Sequence, residues 1–328
     1  MKSGHLRGKS ILVTGGTGTF GKALVRRLCT VPGITRIIVL SRDEYKQDQM
    51  RREFDDPRLR FLIGDVRDPK RLHRAFNHVD IVIHAAALKQ VPALEYNPVE
   101  AVETNIIGTR NVIEAAFDCG VDKVLFISTD KAVQPINLYG ATKMCAERLA
   151  IAANSYRGRH SRTRISVMRY GNVLGSRGSI VELIEKQRPS GTVTLTDERM
   201  TRFWIHIESV VDCVINALRL MESGEIFVPS IRSSRVVDLI KVVAPRSPLK
   251  IIGIRPGEKL HETLISEHEA LHTKLVEDLF VVEPEFADWG RKSPFAKFRS
   301  VPKGFSYMSN DADRLIPRER IKKELRII

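Results

Sequence analysis

The chain has few cysteines, and they lie far apart. Cys29, Cys119, Cys145 and Cys213 are the only four among 328 residues. None has the paired spacing that a zinc site or a redox couple requires. Each lies in an apolar helical pattern, so we predict buried structural roles for them.

Long hydrophobic runs are also missing. The longest apolar segments, such as 81–83 and 123–127, are strand-sized and far shorter than the ~20 residues of a membrane helix. The first seven residues lack the apolar core of a signal peptide. We therefore expect a soluble, cytoplasmic protein with no membrane partner.

Negative charge is in deficit and aromatic residues are scarce, at 6%. Lys and Arg number 53 against 39 Asp and Glu, which gives a formal charge of +14. The basic residues are spread along the chain without an RNA-binding aromatic signature, so no nucleic-acid partner is expected. We interpret the excess as a solvated surface and a field that attracts a small polyanionic substrate.

Strand and helix patterns alternate from the start of the chain, which indicates an α/β fold. Strands are predicted at 10–14, 36–40, 58–63, 81–84, 123–128 and 165–169, and helices at 22–29, 99–119 and 138–156. This order predicts a Rossmann-type doubly wound parallel sheet. We expect an NADP-binding Rossmann domain over 1–172 and a smaller, mainly substrate-binding region over 173–328. The amphipathic segment 207–221 is expected to pack back on the first domain.

Three glycines follow the first strand and open the first helix. Gly15, Gly18 and Gly21 are spaced to permit a tight turn and close approach of the backbone to a pyrophosphate. The helix N-terminus would stabilise that anion. The strand, turn and helix together predict a dinucleotide site.

The end of the second strand favours NADP over NAD. An acidic residue there would bind the ribose hydroxyls of NAD, whereas an arginine suits the 2′-phosphate of NADP. Arg42 stands at this point, with Ser41 and Lys46 as helpers, and we interpret Asp43 as an early helix residue favoured by the helix dipole. Further cofactor candidates follow the third and fourth strands, namely Asp65, Val66, Ala85, Ala86 and Ala87.

Two acid/base couples lie close together in the sequence. Tyr139 and Lys143 are four residues apart on a predicted helix, so they share one face, where an ammonium would favour the phenolate. Such a tyrosine can act as the base when hydride leaves an alcohol. Asp130 and Lys131 form a second couple, which removal of water from an oxidised sugar requires. A capping Asp130 and a solvated Lys131 are the alternative, which their place between a strand and Tyr139 disfavours.

These motifs, in this order, resemble the extended short-chain dehydrogenase/reductase superfamily. Within it the chain is similar to the inverting UDP-N-acetylglucosamine 4,6-dehydratases that begin pseudaminic acid synthesis. The resemblance covers about residues 8–270 and is carried by 14–21, 41–44, 64–68, 85–92, 128–132, 137–143, 169–173, 175–179, 200–204 and 255–262. It implies a tightly bound NADP that is regenerated in each turnover. It adds cofactor contacts at Thr17, Thr19, Phe20, Lys89, Tyr139 and Lys143.

The resemblance also implies an internal redox elimination on a UDP-sugar. Tyr139, activated by Lys143, would remove the O4 proton as hydride leaves C4, while Thr129 hydrogen-bonds the same oxygen. One of Asp130 and Lys131 would remove the C5 proton and the other would assist loss of the C6 hydroxyl. The resemblance suggests Lys131 as the base and Asp130 as the acid. Hydride would return to C6, with inversion at C5.

Substrate contacts are predicted outside the catalytic set. Asn172 follows a strand end, where ligands of open α/β sheets bind. Arginines match the paired acceptors of a diphosphate, and a glutamate can accept from ribose hydroxyls. The predicted substrate residues are Lys89, Thr129, Asn172, Arg177, Met200, Arg202, Arg255 and Glu258.

A second pattern, at 268–272, fits the zinc-protease motif H-E-x-x-H. It lies beyond the substrate motifs in a charged segment, so we predict a surface helix and no metal.

Several functional alternatives remain open from the sequence. A UDP-hexose 4-epimerase and a bifunctional dehydratase/epimerase are the enzymatic ones, and an NADP-sensing binding protein is the non-enzymatic one. A sensor has no use for Asp130, Lys131, Tyr139 and Lys143 together. The apolar faces of the crossover helices on either side of the fifth strand predict a homo-oligomer, a dimer or larger.

Overall fold

The fold is seen in a computed structural model that describes residues 3–156, 161–175, 180–287, 289–290 and 292–325. Its strands are β1 (Ser10–Thr14), β2 (Arg36–Ser41), β3 (Leu59–Ile63), β4 (Ile81–His84), β5 (Lys123–Thr129), β6 (Arg164–Tyr170), β7 (Asn172–Leu174), β8 (Val193–Leu195), β9 (Thr201–His206), β10 (Ile226–Pro229), β11 (Arg232–Arg235), β12 (Leu249–Ile251), β13 (Thr263–Ile265), β14 (Thr273–Val276), β15 (Leu279–Val282) and β16 (Tyr307–Met308).

The helices surround the large sheet and complete the smaller region. They are α1 (Thr19–Cys29), α2 (Glu44–Glu53), α3 (Pro69–Ala75), α4 (Val91–Tyr96), α5 (Pro98–Val102), α6 (Gly108–Asp118), α7 (Leu138–Tyr156), α8 (Ile180–Gln187), α9 (Ile207–Leu220), α10 (Val236–Val243), α11 (Glu267–Ala270) and α12 (Arg318–Glu324).

A nine-stranded sheet forms the centre, in the order β14-β15-β10-β6-β5-β4-β1-β2-β3. The strands from β3 across to β10 pair in parallel, and β15 and β14 add an antiparallel edge. Strands β1 and β4 are buried along their whole length, as parallel strands covered on both faces must be. The predicted Rossmann-type doubly wound sheet is confirmed.

The strand order reverses at β1, which has β2 on one side and β4 on the other. Ligands of open α/β sheets bind at such a switch point, beyond the carboxyl ends of the strands. The turn after β1 and the segments after β4, β5 and β6 therefore meet at this edge.

The predicted helix over 99–119 is interrupted. Residues Glu103–Ile107 form a π-helical turn between α5 and α6. Asn105 in this turn is buried, and its amide donates to the Leu88 carbonyl at 2.9 Å and to Thr142 Oγ1 at 3.0 Å. The wider turn directs Asn105 toward the segment after β4 and toward α7, a tertiary requirement that helical periodicity does not reveal.

The second half of the chain contributes to two structures. Strands β10, β14 and β15 extend the central sheet, and α9 contacts α1, where Arg27 pairs with Asp212 at 2.8 Å. Three small sheets, β11-β9-β7, β12-β8 and β13-β16, build the remainder. A domain boundary near 172 stays a prediction, because the chain returns to the central sheet after that point.

A buried arginine joins three segments. The Arg169 guanidinium on β6 binds Glu147 of α7 at 2.6 Å and Glu269 of α11 at 2.9 Å, and its side chain is 2% exposed. The H-E-x-x-H segment begins in a short surface helix, as predicted, and His268 on it is exposed. The helix ends at Ala270, before His272, and its glutamate is committed to Arg169.

One cysteine prediction is wrong. Cys145 on α7 is exposed, while Cys29, Cys119 and Cys213 are partly buried.

Candidate active site

The glycine turn after β1 is shaped by backbone contacts. Gly15 has a φ of +66°, and a Cβ on it would lie 2.9 Å from the Ala86 Cα. A Cβ on Gly21 would lie 2.5 Å from the Gly16 Cα, so α1 packs directly on the turn. Gly18 caps α1 without a side-chain hydrogen bond. The turn thus presents backbone and a helix N-terminus, which suits a dinucleotide pyrophosphate.

Thr14 ties this turn to the segment after β4. Its hydroxyl hydrogen-bonds His84 Nδ1 at 2.7 Å and accepts from the backbone N–H groups of Ala85 and Ala86, each at 3.2 Å. The small side chains predicted to line the cofactor therefore lie beside the glycine turn. Thr17, Thr19 and Phe20 lie on the turn and the first turn of α1.

The end of β2 bears out the structural interpretation of Asp43. Asp43 caps α2, since its carboxylate accepts the Lys46 backbone N–H at 2.9 Å and also binds the Lys46 ammonium. Arg42 is 53% exposed and lies 3.6 Å from Asp65. An acidic residue is thus present but committed to the helix, while a guanidinium remains accessible for a phosphate.

The other cofactor residues predicted after β2 and β3 hydrogen-bond to groups of the protein itself. Asp65 binds the Arg67 guanidinium at 2.8 Å, and Val66 is buried with its carbonyl bound by Asn111 at 3.2 Å. Ser41 is buried, and its hydroxyl accepts from Gln47 at 3.0 Å. Their contacts with a cofactor remain predictions.

Asp130 is buried at the end of β5, between two partners. Its Oδ1 accepts from the Thr129 hydroxyl at 2.9 Å and from Lys131 Nζ at 3.1 Å. Its Oδ2 has no hydrogen-bond partner among the described residues. Burial raises the pKa of Asp130 and outweighs the opposing charge of Lys131. Neither a plain turn cap nor a solvated lysine describes this couple.

Tyr139 reaches the same place from the first turn of α7. Burial raises the pKa of its phenol to about 12, while the Lys131 charge and a hydrogen bond with Thr129 act in the opposite direction. Gly140 makes the approach possible, because a Cβ there would lie 2.2 Å from the Lys131 carbonyl oxygen. Thr129, Asp130, Lys131 and Tyr139 therefore form one cluster.

Lys143 lies one helical turn beyond Tyr139, and its predicted activation of the phenol stays a prediction. Lys143 is buried, and its ammonium donates to the Ile127 carbonyl at 2.6 Å and lies 3.9 Å from the centre of the Phe126 ring. Burial lowers the pKa of Lys143 to about 7. The cation that lowers the pKa of the phenol is Lys131, which the backbone turn after β5 delivers to it.

Buried acceptors without partners lie in the predicted substrate segments. Asn172 Oδ1 at the start of β7 and Glu258 Oε2 have no hydrogen-bond partner within the part of the chain that the structure describes. Leaving such atoms unpaired is costly, so they indicate where a ligand would donate hydrogen bonds. Arg255 is half-exposed, 3.9 Å from Glu258, and Lys89 is exposed in the segment after β4.

Two predicted substrate residues have internal roles. Arg202 donates to the carbonyls of Thr201, Lys259 and Leu260, at 2.7, 3.0 and 3.1 Å. Met200 is buried in the apolar core of the smaller region. The structure does not bring the Met200 side chain to a ligand surface, and Arg202 holds the 259–260 segment. Arg177 lies outside the described residues.

The sequence analysis missed two charged residues of the cluster. Glu262 lies 3.5 Å from Lys131 Nζ, and Lys259 donates to the Val133 carbonyl at 2.6 Å, next to the turn that carries Asp130. Both belong to the segment 255–262, one of those that carry the family resemblance, so the sequence did mark this segment as functional. Their position beside Asp130 depends on chain folding and not on local pattern.

The described residues lack two other kinds of site. None of their helices is both long and apolar enough to cross a membrane. They also hold no group of three or more His, Cys, Asp or Glu side chains placed to bind a metal.

Comparison with known proteins identifies the family. The model of a family described as polysaccharide biosynthesis protein matches residues 11–284. A Campylobacter jejuni protein named UDP-N-acetylglucosamine 4,6-dehydratase (inverting) is 46% identical over 92% of this chain and 93% of its own length. The chain belongs to this polysaccharide biosynthesis family. It is an enzyme of the extended short-chain dehydrogenase/reductase superfamily.

Proteins with other names are also similar to this chain over most of its length. A Rickettsia conorii protein named UDP-glucose 4-epimerase is 40% identical over 88% of this chain and 86% of its own length. The solved structure of Pen from Bacillus thuringiensis is 35% identical over 98% of both chains, with a TM-score of 0.90. DesIV, a dTDP-glucose 4,6-dehydratase of Streptomyces venezuelae solved with NAD bound, is 25% identical over 76% of this chain and 86% of its own, with a TM-score of 0.67.

Proposed function

We propose that this family member is an inverting UDP-N-acetylglucosamine 4,6-dehydratase that uses tightly bound NADP. The observation that carries the proposal is the cluster of Thr129, Asp130, Lys131 and Tyr139, in which a buried carboxyl and an ammonium adjoin the phenol. Oxidation alone needs only the phenol and a hydride acceptor. The similarity to the Campylobacter jejuni dehydratase supports the same conclusion.

The residues divide the reaction into two proton-transfer tasks. Tyr139 takes the O4 proton, and Thr129 hydrogen-bonds that oxygen. A nicotinamide held at the glycine turn after β1 would supply the hydride chemistry between C4 and C6. The resulting C4 ketone acidifies the C5 proton, so oxidation must come before elimination.

Asp130 and Lys131 then act on C5 and C6. A single proton shift from Lys131 Nζ to Asp130 Oδ1, across their 3.1 Å hydrogen bond, produces a neutral amine and a carboxylic acid together. The amine can remove the C5 proton while the acid gives its proton to the leaving C6 hydroxyl. Burial favours the uncharged form of Asp130, while the neighbouring carboxylates hold the proton on Lys131 Nζ until the transfer. A solvent-derived proton then adds to C5 on the face opposite to the one that Lys131 deprotonated, which gives inversion.

The nicotinamide cofactor is supported by the glycine turn and by DesIV, which holds NAD. The choice of NADP rests on Arg42. It is the accessible cation at the end of β2, and Asp43 is occupied by capping α2. The residues present fit a 2′-phosphate better than a free ribose diol.

Replacing Arg42 with alanine should weaken NADP binding by about 10–100-fold and leave NAD binding nearly unchanged, because a charge-assisted hydrogen bond contributes about 1.5–3 kcal/mol. Cofactor-stripped protein is reconstituted with either dinucleotide, and the two dissociation constants are compared. Arg52→Ala is the control, since Arg52 lies on α2 with an 80% exposed side chain. Equal losses for both dinucleotides would contradict the NADP assignment.

The remaining substrate, pathway and assembly predictions follow from the same proposal. We propose that the UDP portion binds near Asn172, Arg255 and Glu258. The product would be a UDP-4-keto-6-deoxy-L-hexose that serves pseudaminic acid synthesis, and the enzyme would act as a cytoplasmic homo-oligomer. The net charge of +14 suits a diphosphate substrate.

The test is NMR of the purified protein with UDP-N-acetylglucosamine in heavy water, without added cofactor. A 4-keto-6-deoxy product with deuterium at an inverted C5 is the expected result. Mass spectrometry of the released dinucleotide identifies the cofactor.

The 40% identical relative named UDP-glucose 4-epimerase favours one second candidate, a 4-epimerase. A product altered only at C4, with its C6 hydroxyl intact, would establish that function and overturn the dehydratase. Unchanged UDP-N-acetylglucosamine with conversion of UDP-glucose would overturn the proposed substrate.

A further inference from the structure

Glu262 places a second buried carboxylate beside Lys131, and the proposed roles of Asp130 and Lys131 do not explain it. The Lys131 ammonium lies between two buried carboxylates, 3.1 Å from Asp130 Oδ1 and 3.5 Å from Glu262 Oε1. The Glu262 side chain is 3% exposed. Its Oε2 has no hydrogen-bond partner within the described residues. A buried carboxylate directed at a catalytic lysine is rarely incidental, because burying charge is costly.

We propose that Glu262 is a positioning residue for the elimination step, which holds Lys131 in place and keeps its proton on Nζ until Asp130 receives it. This inference rests on the proposed dehydratase function. It adds a residue that neither the sequence pattern nor the resemblance assigned.

The backbone around Glu262 is fixed from the C-terminal segment. Its N–H donates to Ser309 Oγ at 2.8 Å, and its carbonyl accepts the Ser309 N–H at 2.8 Å. Ser309 also shares a 2.6 Å hydrogen bond with Thr201 on β9. The carboxylate is thus presented by a rigid backbone and not by a mobile loop tip.

Three cations that face Glu262 favour its ionised form. Arg202 Nε lies 3.8 Å from Glu262 Oε1, and Lys131 and Lys259 lie on other sides. Burial alone would raise the pKa of Glu262, but these three cations outweigh it and hold the pKa below its usual value. Asp130 faces it across Lys131.

The negative charge of Glu262 stabilises the proton on Lys131 Nζ, which the elimination step requires. Burial alone would lower the pKa of Lys131, but Asp130 and Glu262 together raise it above its usual value. Lys89 and Tyr139 also face Lys131, and the Lys131 charge lowers the pKa of each. Removing the Glu262 charge should therefore make Lys131 lose its proton at lower pH.

The decisive variant is Glu262→Gln, which keeps the shape and removes the charge. We expect the rising limb of the pH profile for C5 deuterium incorporation to move to lower pH by about one to two units, because a unit charge at this distance has been lost. We also expect kcat to fall about 10-fold or more with little change in KM, because Lys131 Nζ loses the contact that holds it in place. Glu262→Asp keeps the charge, so the rising limb of its pH profile should lie close to that of the unmodified enzyme.

Controls separate this role from a structural one. Glu267→Gln changes an exposed glutamate five positions later. It should have the same kcat as the unmodified enzyme, and the rising limb of its pH profile should lie at the same pH. Thermal unfolding of each variant checks the fold, and Glu262→Asp provides the test if the glutamine variant does not fold.

The inference is overturned if Glu262→Gln lowers kcat without moving the rising limb of the pH profile. It is also overturned if both kcat and the rising limb stay unchanged. The unmodified enzyme separates this failure from that of the proposed function. If it forms no 4-keto-6-deoxy product, the dehydratase proposal fails. If it forms that product and the variants show no shift, only the role of Glu262 fails.

Discussion

Replacing Tyr139 with phenylalanine should lower turnover by about 10²–10⁴-fold, the usual contribution of a positioned acid/base group. The phenol is the group in the cluster that can take the O4 proton, and every later step depends on the ketone formed at C4. The fold should survive, because the change removes only a hydroxyl whose protein hydrogen bond is with Thr129. Turnover is measured by NMR, and C4 oxidation by the absorbance of the reduced nicotinamide.

A second tyrosine on the same helix provides the control. Tyr156 lies at the C-terminal end of α7, 53% exposed, with its ring edge against Phe117. Tyr156→Phe should match the unmodified enzyme in turnover. If Tyr139→Phe kept more than a tenth of the turnover, or lost it only by unfolding, another group would have to be the C4 base.

Replacing Lys131 with alanine should lower the rate of C5 proton removal as strongly as Tyr139→Phe lowers turnover. C4 oxidation should remain detectable, while deuterium incorporation at C5 should fall about 10²–10⁴-fold because the base has been removed. The Lys131 charge lowers the pKa of Tyr139. Without that charge the phenol must ionise at higher pH, so the rising limb of C4 oxidation should move to higher pH.

Lys131→Arg separates the charge of Lys131 from its proton transfer. Arginine keeps a positive charge beside Tyr139 but is protonated throughout the working pH range, so it cannot remove the C5 proton. We expect C4 oxidation with its limb in place and no C5 exchange. Equal loss of both steps in the alanine and arginine variants would contradict the assignment of Lys131 as the C5 base.

Much of the site could be predicted because its chemistry is local in sequence. Thr129, Asp130 and Lys131 are consecutive, and β5 ends where the sheet delivers them to the switch point. The predicted boundaries of α7 agree with the structure, so Tyr139 and Lys143 lie on a helix as expected. Hydrophobic runs and glycine spacing were sufficient for the Rossmann sheet, since both depend on near neighbours in the chain.

The directions of the side chains could not be predicted in the same way. Four-residue spacing places Lys143 on the same face as Tyr139, yet the Ile127 carbonyl and the Phe126 ring decide where its ammonium rests. Arg202 has the right chemistry for a diphosphate, but three carbonyls from its own strand and the 259–260 segment bind it. The partners of a long charged side chain are set by distant backbone, and no local pattern records them.

Local sequence patterns were sufficient for the fold class, for the glycine turn after β1 and for the adjacent Asp130 and Lys131, because each depends on residues a few positions apart. Long-range packing set the contacts that local patterns do not record: Lys131 lowers the pKa of Tyr139, Asp43 caps α2, and Glu269 binds Arg169. It also placed Glu262 beside Lys131. Those outcomes depend on burial and on charges brought together from separate elements, where desolvation makes the identity of each neighbour decisive.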